Sequence, residues 1–123
     1  MNKREKGNFG EDMAERFLTS QNYRIIARNF KAGRFEVDVI AEDLYKHQIV
    51  FVEVKLRKST KFGLPEESVT NKKIDKISTV AMHFLSRKNC KYLSGWRIDI
   101  IAVKLNSEGK LEEIKQIKNI ENG

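Results

Sequence analysis

Cysteine, proline and histidine are nearly absent: the 123 residues hold one Cys, one Pro and two His. Cys90 alone can make neither an internal disulfide nor a cysteine-based zinc cluster. A reducing, cytoplasmic setting is the corresponding expectation. Long apolar runs are missing too. Ile49–Val52 and Ile100–Val103 are strand-sized, far short of the ~20 residues a membrane helix needs, so no membrane-spanning role is expected. The basic start Met1-Asn2-Lys3-Arg4-Glu5-Lys6 has no apolar stretch behind it and does not read as an export signal. Neither Gly-x-Gly-x-x-Gly, a P-loop, His-Glu-x-x-His nor Gly-x-Ser-x-Gly occurs, which removes the reaction classes those motifs serve. His47 and His83 read as residues of a strand start and a helix surface rather than as bases or ligands. Gly7-Asn8-Phe9-Gly10 spells the Gly-x-x-Gly of a KH loop, but it precedes the first helix instead of joining two.

What the chain does hold is enough apolar and charged material for a folded domain, at 40% and 33%. The length predicts a single domain spanning 1–123, with 1–6 and 121–123 as flexible ends. Lys plus Arg number 24 against 17 Asp plus Glu, a net charge of +7. A basic surface of that size suits a polyanion, either nucleic acid or an anionic membrane surface, or serves solubility alone.

Asn8 and Glu11 have the spacing of a capping box, and Met13, Ala14, Phe17 and Leu18 follow at helical spacing, predicting a helix over 8–21. Short β-rich runs come next: Tyr23–Phe30, a turn at Lys31-Ala32-Gly33, Arg34–Ala41, then Gln48–Arg57 after a short polar connection. The short links predict an antiparallel meander. Pro65-Glu66-Glu67 resembles a first helical turn. Val69, Ile74, Ile77, Ala81, Phe84 and Leu85 form the apolar stripe of a helix reaching Lys88. Strands at Arg97–Lys104 and Leu111–Ile120 complete an α/β domain, a central mixed sheet flanked by helices.

Charges placed inside these strands carry the chemistry. Alternation puts Glu36, Asp38 and Ile40 on one face and Phe35, Val37, Val39 and Ala41 on the other. In the next strand Val50, Val52, Val54 and Leu56 share one face; Ile49, Phe51, Glu53, Lys55 and Arg57 share the opposite one. Both faces begin apolar, as in a central strand. One consistent antiparallel register sets Asp38 opposite Glu53 and Glu36 opposite Lys55. Two carboxylates so placed repel unless a proton or a cation joins them. A hard divalent ion fits, held by Asp38, Glu53 and the main-chain carbonyl of Val54, with a phosphate completing the shell. Lys55 on the same side would hold a water and offset charge in the transition state of phosphodiester hydrolysis. Simple sheet-surface ion pairs, Glu36 with Lys55 and Glu53 with Arg57, are the competing reading.

Together Gly7-x-x-Gly10-Glu11-x-x-Ala14, Glu36-x-Asp38, Val50-Phe51-Val52-Glu53-Val54-Lys55-x-Arg57, Phe62-Gly63, Lys73 and Arg97-x-Asp99 resemble the YraN-like family of small bacterial proteins. The resemblance spans Gly7 to Val103. It implies a restriction-endonuclease-like fold, similar to the archaeal Holliday junction resolvases, whose motif is an acid in one strand and Glu-x-Lys in the next. By this resemblance Asp38, Glu53 and Lys55 are catalytic, and Glu11 adds an acid to the metal site of Asp38, Glu53 and Val54. Glu36 borders the substrate site, while Arg57 and Lys73 are phosphate contacts. The chain departs from the family pattern at Phe35, where glycine is usual, and at Leu56, where a small hydroxyl residue is usual. Arg97 and Asp99 read as a structural ion pair. The expected activity is a Mg²⁺- or Mn²⁺-dependent DNA nuclease, branched DNA included, acting as a homodimer if it cuts two strands symmetrically. The alternative is a DNA-binding module that keeps the fold without chemistry.

Overall fold

A computed structural model describes residues 1–58, 69–87 and 94–120. In chain order the elements are α1 (Lys3–Ser20), β1 (Tyr23–Ala32), β2 (Phe35–Asp43), β3 (Gln48–Arg57), α2 (Asn71–Arg87), β4 (Gly95–Leu105) and β5 (Leu111–Ile117). The sheet order is β1-β2-β3-β4-β5. β3 and β4 run parallel, and the other neighbours are antiparallel. This is the expected α/β architecture with a mixed sheet, and it is compatible with a restriction-endonuclease-like fold. No helix among the described residues is long and apolar enough to cross a membrane.

Turn chemistry sets the meander. Gly33, at φ +62°, reverses the chain between β1 and β2 where a residue with a Cβ would be strained. Between β2 and β3 the Asp43 carboxylate accepts from the N–H groups of Tyr45 and Lys46 at 3.0 and 3.1 Å, an Asx-type closure. His47 adopts φ +56° and donates its N–H to the Asp43 carbonyl, so it serves the turn. The parallel β3–β4 pair needs a crossover, and α2 supplies it.

Each face of the sheet buries one helix. α1 brings Ala14 and Leu18 onto Val39, Ala41, Val50, Val52, Ile101 and Val103. α2 brings Ile77, Val80, Ala81 and Phe84 onto Ile40, Ile49, Phe51 and Ile98. The Phe84 ring meets Phe30 and Phe51 edge-on at 5.3 and 5.8 Å, a favoured aromatic geometry. β3 is central, and its two faces divide as its alternation predicts.

Several expectations are corrected. α1 starts at Lys3 rather than Asn8, because Asn2-Lys3-Arg4-Glu5 repeats the same cap spacing earlier and Asn2 Oδ1 accepts from the Glu5 N–H at 2.9 Å. Asn8 and Glu11 therefore form no capping box. α2 begins at Asn71, where Thr70 Oγ1 accepts from the Lys73 N–H at 3.2 Å. Val69 precedes that cap, and Pro65-Glu66-Glu67 lies outside the described residues, as do Phe62-Gly63 and 121–123. The final strand stops at Ile117, and Ile120 packs on the α2 face. A bulge at Ile26 breaks the alternation of β1, so Ile25 joins the α1 face while Ala27 joins the other; Asn29, at φ +52°, breaks it again and returns Phe30 to the face of Ala27. Val37 packs with Ile40 rather than with Val39 and Ala41. That segment of β2 pairs with β1 alone, and a two-stranded ribbon twists more than a sheet interior.

One end of the sheet is locked by a buried ionic network. Arg97 Nε lies 3.1 Å from Asp99 Oδ1, and its two terminal nitrogens donate to Asp43, Gln48 and Tyr23 at 3.0, 2.7 and 2.8 Å. Gln116 donates to Asp99 and to Tyr23, and the Asn119 N–H donates to Asp99. Every strand contributes a group. Asp99 is 0% exposed and Arg97 4%. Burial would raise the Asp43 carboxyl, but the N–H donors of its turn and the Arg97 guanidinium hold it below the usual carboxylate range.

Arg97→Ala strands two buried carboxylates, and we expect a loss of about 3–5 kcal/mol in urea-unfolding free energy. A loss below about 1 kcal/mol, the range of an exposed ion pair, would show that the network does not hold the sheet.

Candidate active site

The sequence-derived register is the one the strands adopt: Asp43 pairs with Gln48 and the ladder runs up to Val39 opposite Val52. One step further it stops, where Asp38 would face Glu53. β2 and β3 part there, and the Val54 N–H, which has lost its strand partner, donates instead to Asp38 Oδ2 at 2.8 Å. A side chain has replaced a ladder hydrogen bond. In an extended strand the N–H and C=O of one residue point to the same edge, so the Val54 carbonyl also turns toward this gap.

Glu53 follows Phe51 on the α2 face and is 8% exposed. The first turn of α2 reaches it: Lys73 Nζ lies 3.2 Å from Glu53 Oε2. Burial pushes the Asp38 carboxyl up to about 7, reinforced by the charge of Glu53 and a hydrogen bond between the two carboxyls. The Val54 N–H and the Lys73 charge pull the other way and do not cancel that rise. Asp38 therefore holds its proton well above the ordinary carboxylate range, a place that a cation beside the two acids would take. Both donors are hard oxygens, as a divalent ion such as Mg²⁺ requires.

Lys55 and Arg57 continue along β3, half-buried, and neither side chain has an ion pair or hydrogen bond among the described residues. Glu36 lies exposed beside Lys73 at the rim of a cleft. Glu11 is held elsewhere. It is 8% exposed and accepts from Asn29 Nδ2 at 3.0 Å and Arg28 at 3.3 Å, while Arg28 also pairs with Asp12 at 2.7 Å. Beside it Gly10 faces β3, where a Cβ would make ordinary van der Waals contact with Val54 Cγ1 at 3.4 Å. Among the described residues no three His, Cys, Asp or Glu side chains converge as a metal set. The structure thus brings Asp38, Glu53, Val54 and Lys73 together and leaves Glu11 outside that group. The ion pairs weighed for the strand, Glu36 with Lys55 and Glu53 with Arg57, are not formed. The partner of Glu53 is Lys73, a contact across the crossover that no strand pattern signals. Arg97 and Asp99 pair structurally, as expected.

The family model described as "Uncharacterised protein family UPF0102" matches residues 10–103. A UPF0102 protein of Caldicellulosiruptor saccharolyticus is 44% identical over 122 residues, covering 97% of this chain and 98% of the relative. One from Caldanaerobacter subterraneus subsp. tengcongensis is 44% identical over 120 residues, covering 97% and 96%. Another from Clostridium botulinum is 37% identical, covering 92% and 90%.

The raised Asp38 carboxyl has a consequence for stability. The folded protein takes up a proton between the ordinary value of 3.8 and about 7, so stability falls as pH rises through that window. Asp38→Asn keeps an acceptor for Val54 and removes the charge. We expect the variant to be more stable than the parent at pH 8, on the order of 1–3 kcal/mol, with the difference fading toward pH 4. Equal urea midpoints for the two proteins at pH 8 would contradict the buried acid pair.

Proposed function

The chain belongs to the UPF0102 family, and from that premise and the paired acids Asp38 and Glu53 we propose that it is a metal-dependent nuclease hydrolysing DNA phosphodiester bonds, branched or Holliday-junction-like DNA among its substrates. The observation that carries this reading is the pair of acids on diverging strands, Glu53 buried and Asp38 half-buried, with the Asp38 carboxyl pushed up beside Glu53 and accepting from the Val54 N–H. Asp38, Glu53 and the Val54 carbonyl are the residues that would hold Mg²⁺ or Mn²⁺, which keeps one or two protein carboxylates and leaves positions for water and phosphate. Glu11 is the further acid that the family resemblance assigns to this site. The bound ion would supply Lewis acidity and a water of lowered pKa.

The chain's own residues supply the rest. Lys55, unpaired among the described residues and two positions beyond Glu53, would orient the attacking water and offset negative charge developing on the phosphate. Arg57 and Lys73 would bind flanking phosphates, and Glu36 would accept from base or sugar donors at the rim. The net charge of +7 supports a nucleic-acid partner. Symmetric cutting of two strands would require a homodimer. A cytoplasmic setting, where DNA is at hand, accords with the lone cysteine.

One observation favours the alternative of a non-catalytic DNA-binding module. Lys73 already neutralises Glu53, as a cation would.

A gel assay on single-stranded, duplex and four-way-junction DNA, with Mg²⁺ or Mn²⁺ and with chelator, separates the two. We expect cleavage only with metal, reduced roughly 100-fold or more in Asp38→Asn and Lys55→Ala. Salt-dependent binding without cleavage under either metal would establish the module. Neither binding nor cleavage would overturn the nucleic-acid reading.

A further inference from the structure

Beside the acid pair, a cleft of about 210 Å³ is lined by Arg34, Phe35, Glu36, Lys73 and Lys76. It forms where the β1–β2 turn meets the first two turns of α2. Lys73 and Lys76 are three apart on α2 and so project from one side of the helix. The Arg34 guanidinium lies 5.6 Å and the Lys76 ammonium 5.9 Å from the centre of the Phe35 ring. The ring attracts both cations beside the cleft that they line.

Three cations here face one acid, Glu36, and of the three only Lys73 has an ion pair among the described residues. The first turn of α2 contains no acidic residue to offset them. Like charges gathered at one place are unfavourable unless an anion joins them. Lys73 lines this cleft and also touches Glu53, so whatever anion enters lies next to the reacting position.

We propose that this cleft seats a backbone phosphate of the nucleic acid, flanking the phosphodiester at Asp38 and Glu53, with Arg34 and Lys76 as its ligands. Lys73 then serves two partners, Glu53 when the cleft is empty and the phosphate when it is filled. Phe35 preorganises the two ligands by holding their heads over its ring. The inference rests on the nucleic-acid reading of the neighbouring site, and it adds two residues and a place to that reading.

The test measures binding of a labelled oligonucleotide by fluorescence anisotropy across a salt series, with chelator present so that nothing is cut. The proteins are wild type, Arg34→Ala/Lys76→Ala, Phe35→Leu, and Lys110→Ala as a remote exposed cation. For the double variant we expect roughly tenfold weaker binding and a log K against log salt slope shallower by about 1–2. Phe35→Leu should weaken binding with the slope unchanged, and Lys110→Ala should match wild type. A double variant with wild-type affinity and slope overturns the subsite, whatever the cleavage result. If the double variant loses binding in this way while the wild type never cuts, the subsite stands and the nuclease reading falls. A wild type that binds no oligonucleotide removes both.

Discussion

A single buried guanidinium organises this sheet. Arg97 meets Asp99 on its own strand, Asp43 at the end of β2, Gln48 at the start of β3 and Tyr23 at the start of β1, and Gln116 of β5 closes the ring. Taking such a charge out of water is expensive, and only complete satisfaction of its donors makes it tolerable. That requirement is also directional: a planar fork accepts its partners at fixed angles, so the five strands must arrive in one register. An apolar cluster of the same volume would accept several registers.

With one end of the sheet fixed, the other is free to open. The β2–β3 ladder runs from Asp43 and Gln48 to Val39 and Val52 and no further, while β3 remains paired to β4 through Arg57. The separation that follows creates a gap whose walls are Asp38, Glu53 and the Val54 backbone. The same twist carries Val37 to the α2 side. Site and fold are therefore two results of one geometric event, the departure of β2 from its central neighbour.

Much of this was legible in the sequence, for reasons that can be named. Period-two alternation with an ionic end located β3 and its central place, and short connections dictated the meander. The register that sets Asp38 against Glu53 followed from loop length and strand alternation. Other features had no local signature. The pairing of Lys73 with Glu53 depends on where a crossover helix lands, and the reach of Arg97 to Asp43 spans 54 residues. The first helix began earlier than expected because two equivalent cap signals, at Asn2 and Asn8, compete and the longer helix buries no fewer apolar groups. Glu11 was read with Asn8 or with the metal site, whereas its partners, Arg28 and Asn29, come from the bulged half of β1. A bulge shifts every later side chain by one position, and alternation alone cannot announce it.

The parallel pairing of β3 with β4 has a kinetic meaning. Asp38 and Glu53 lie on a hairpin that closes over a short stretch of chain, whereas Gln48 finds Gly95 only after a loop of some 47 residues has closed, with α2 inside it. Long closures cost more entropy before any contact repays them, so the hairpin forms early and the crossover late. A chain emerging from the ribosome therefore carries its two acids together before Lys73 is in place to balance them. The charge balance at the two acids is thus completed only when the crossover helix docks.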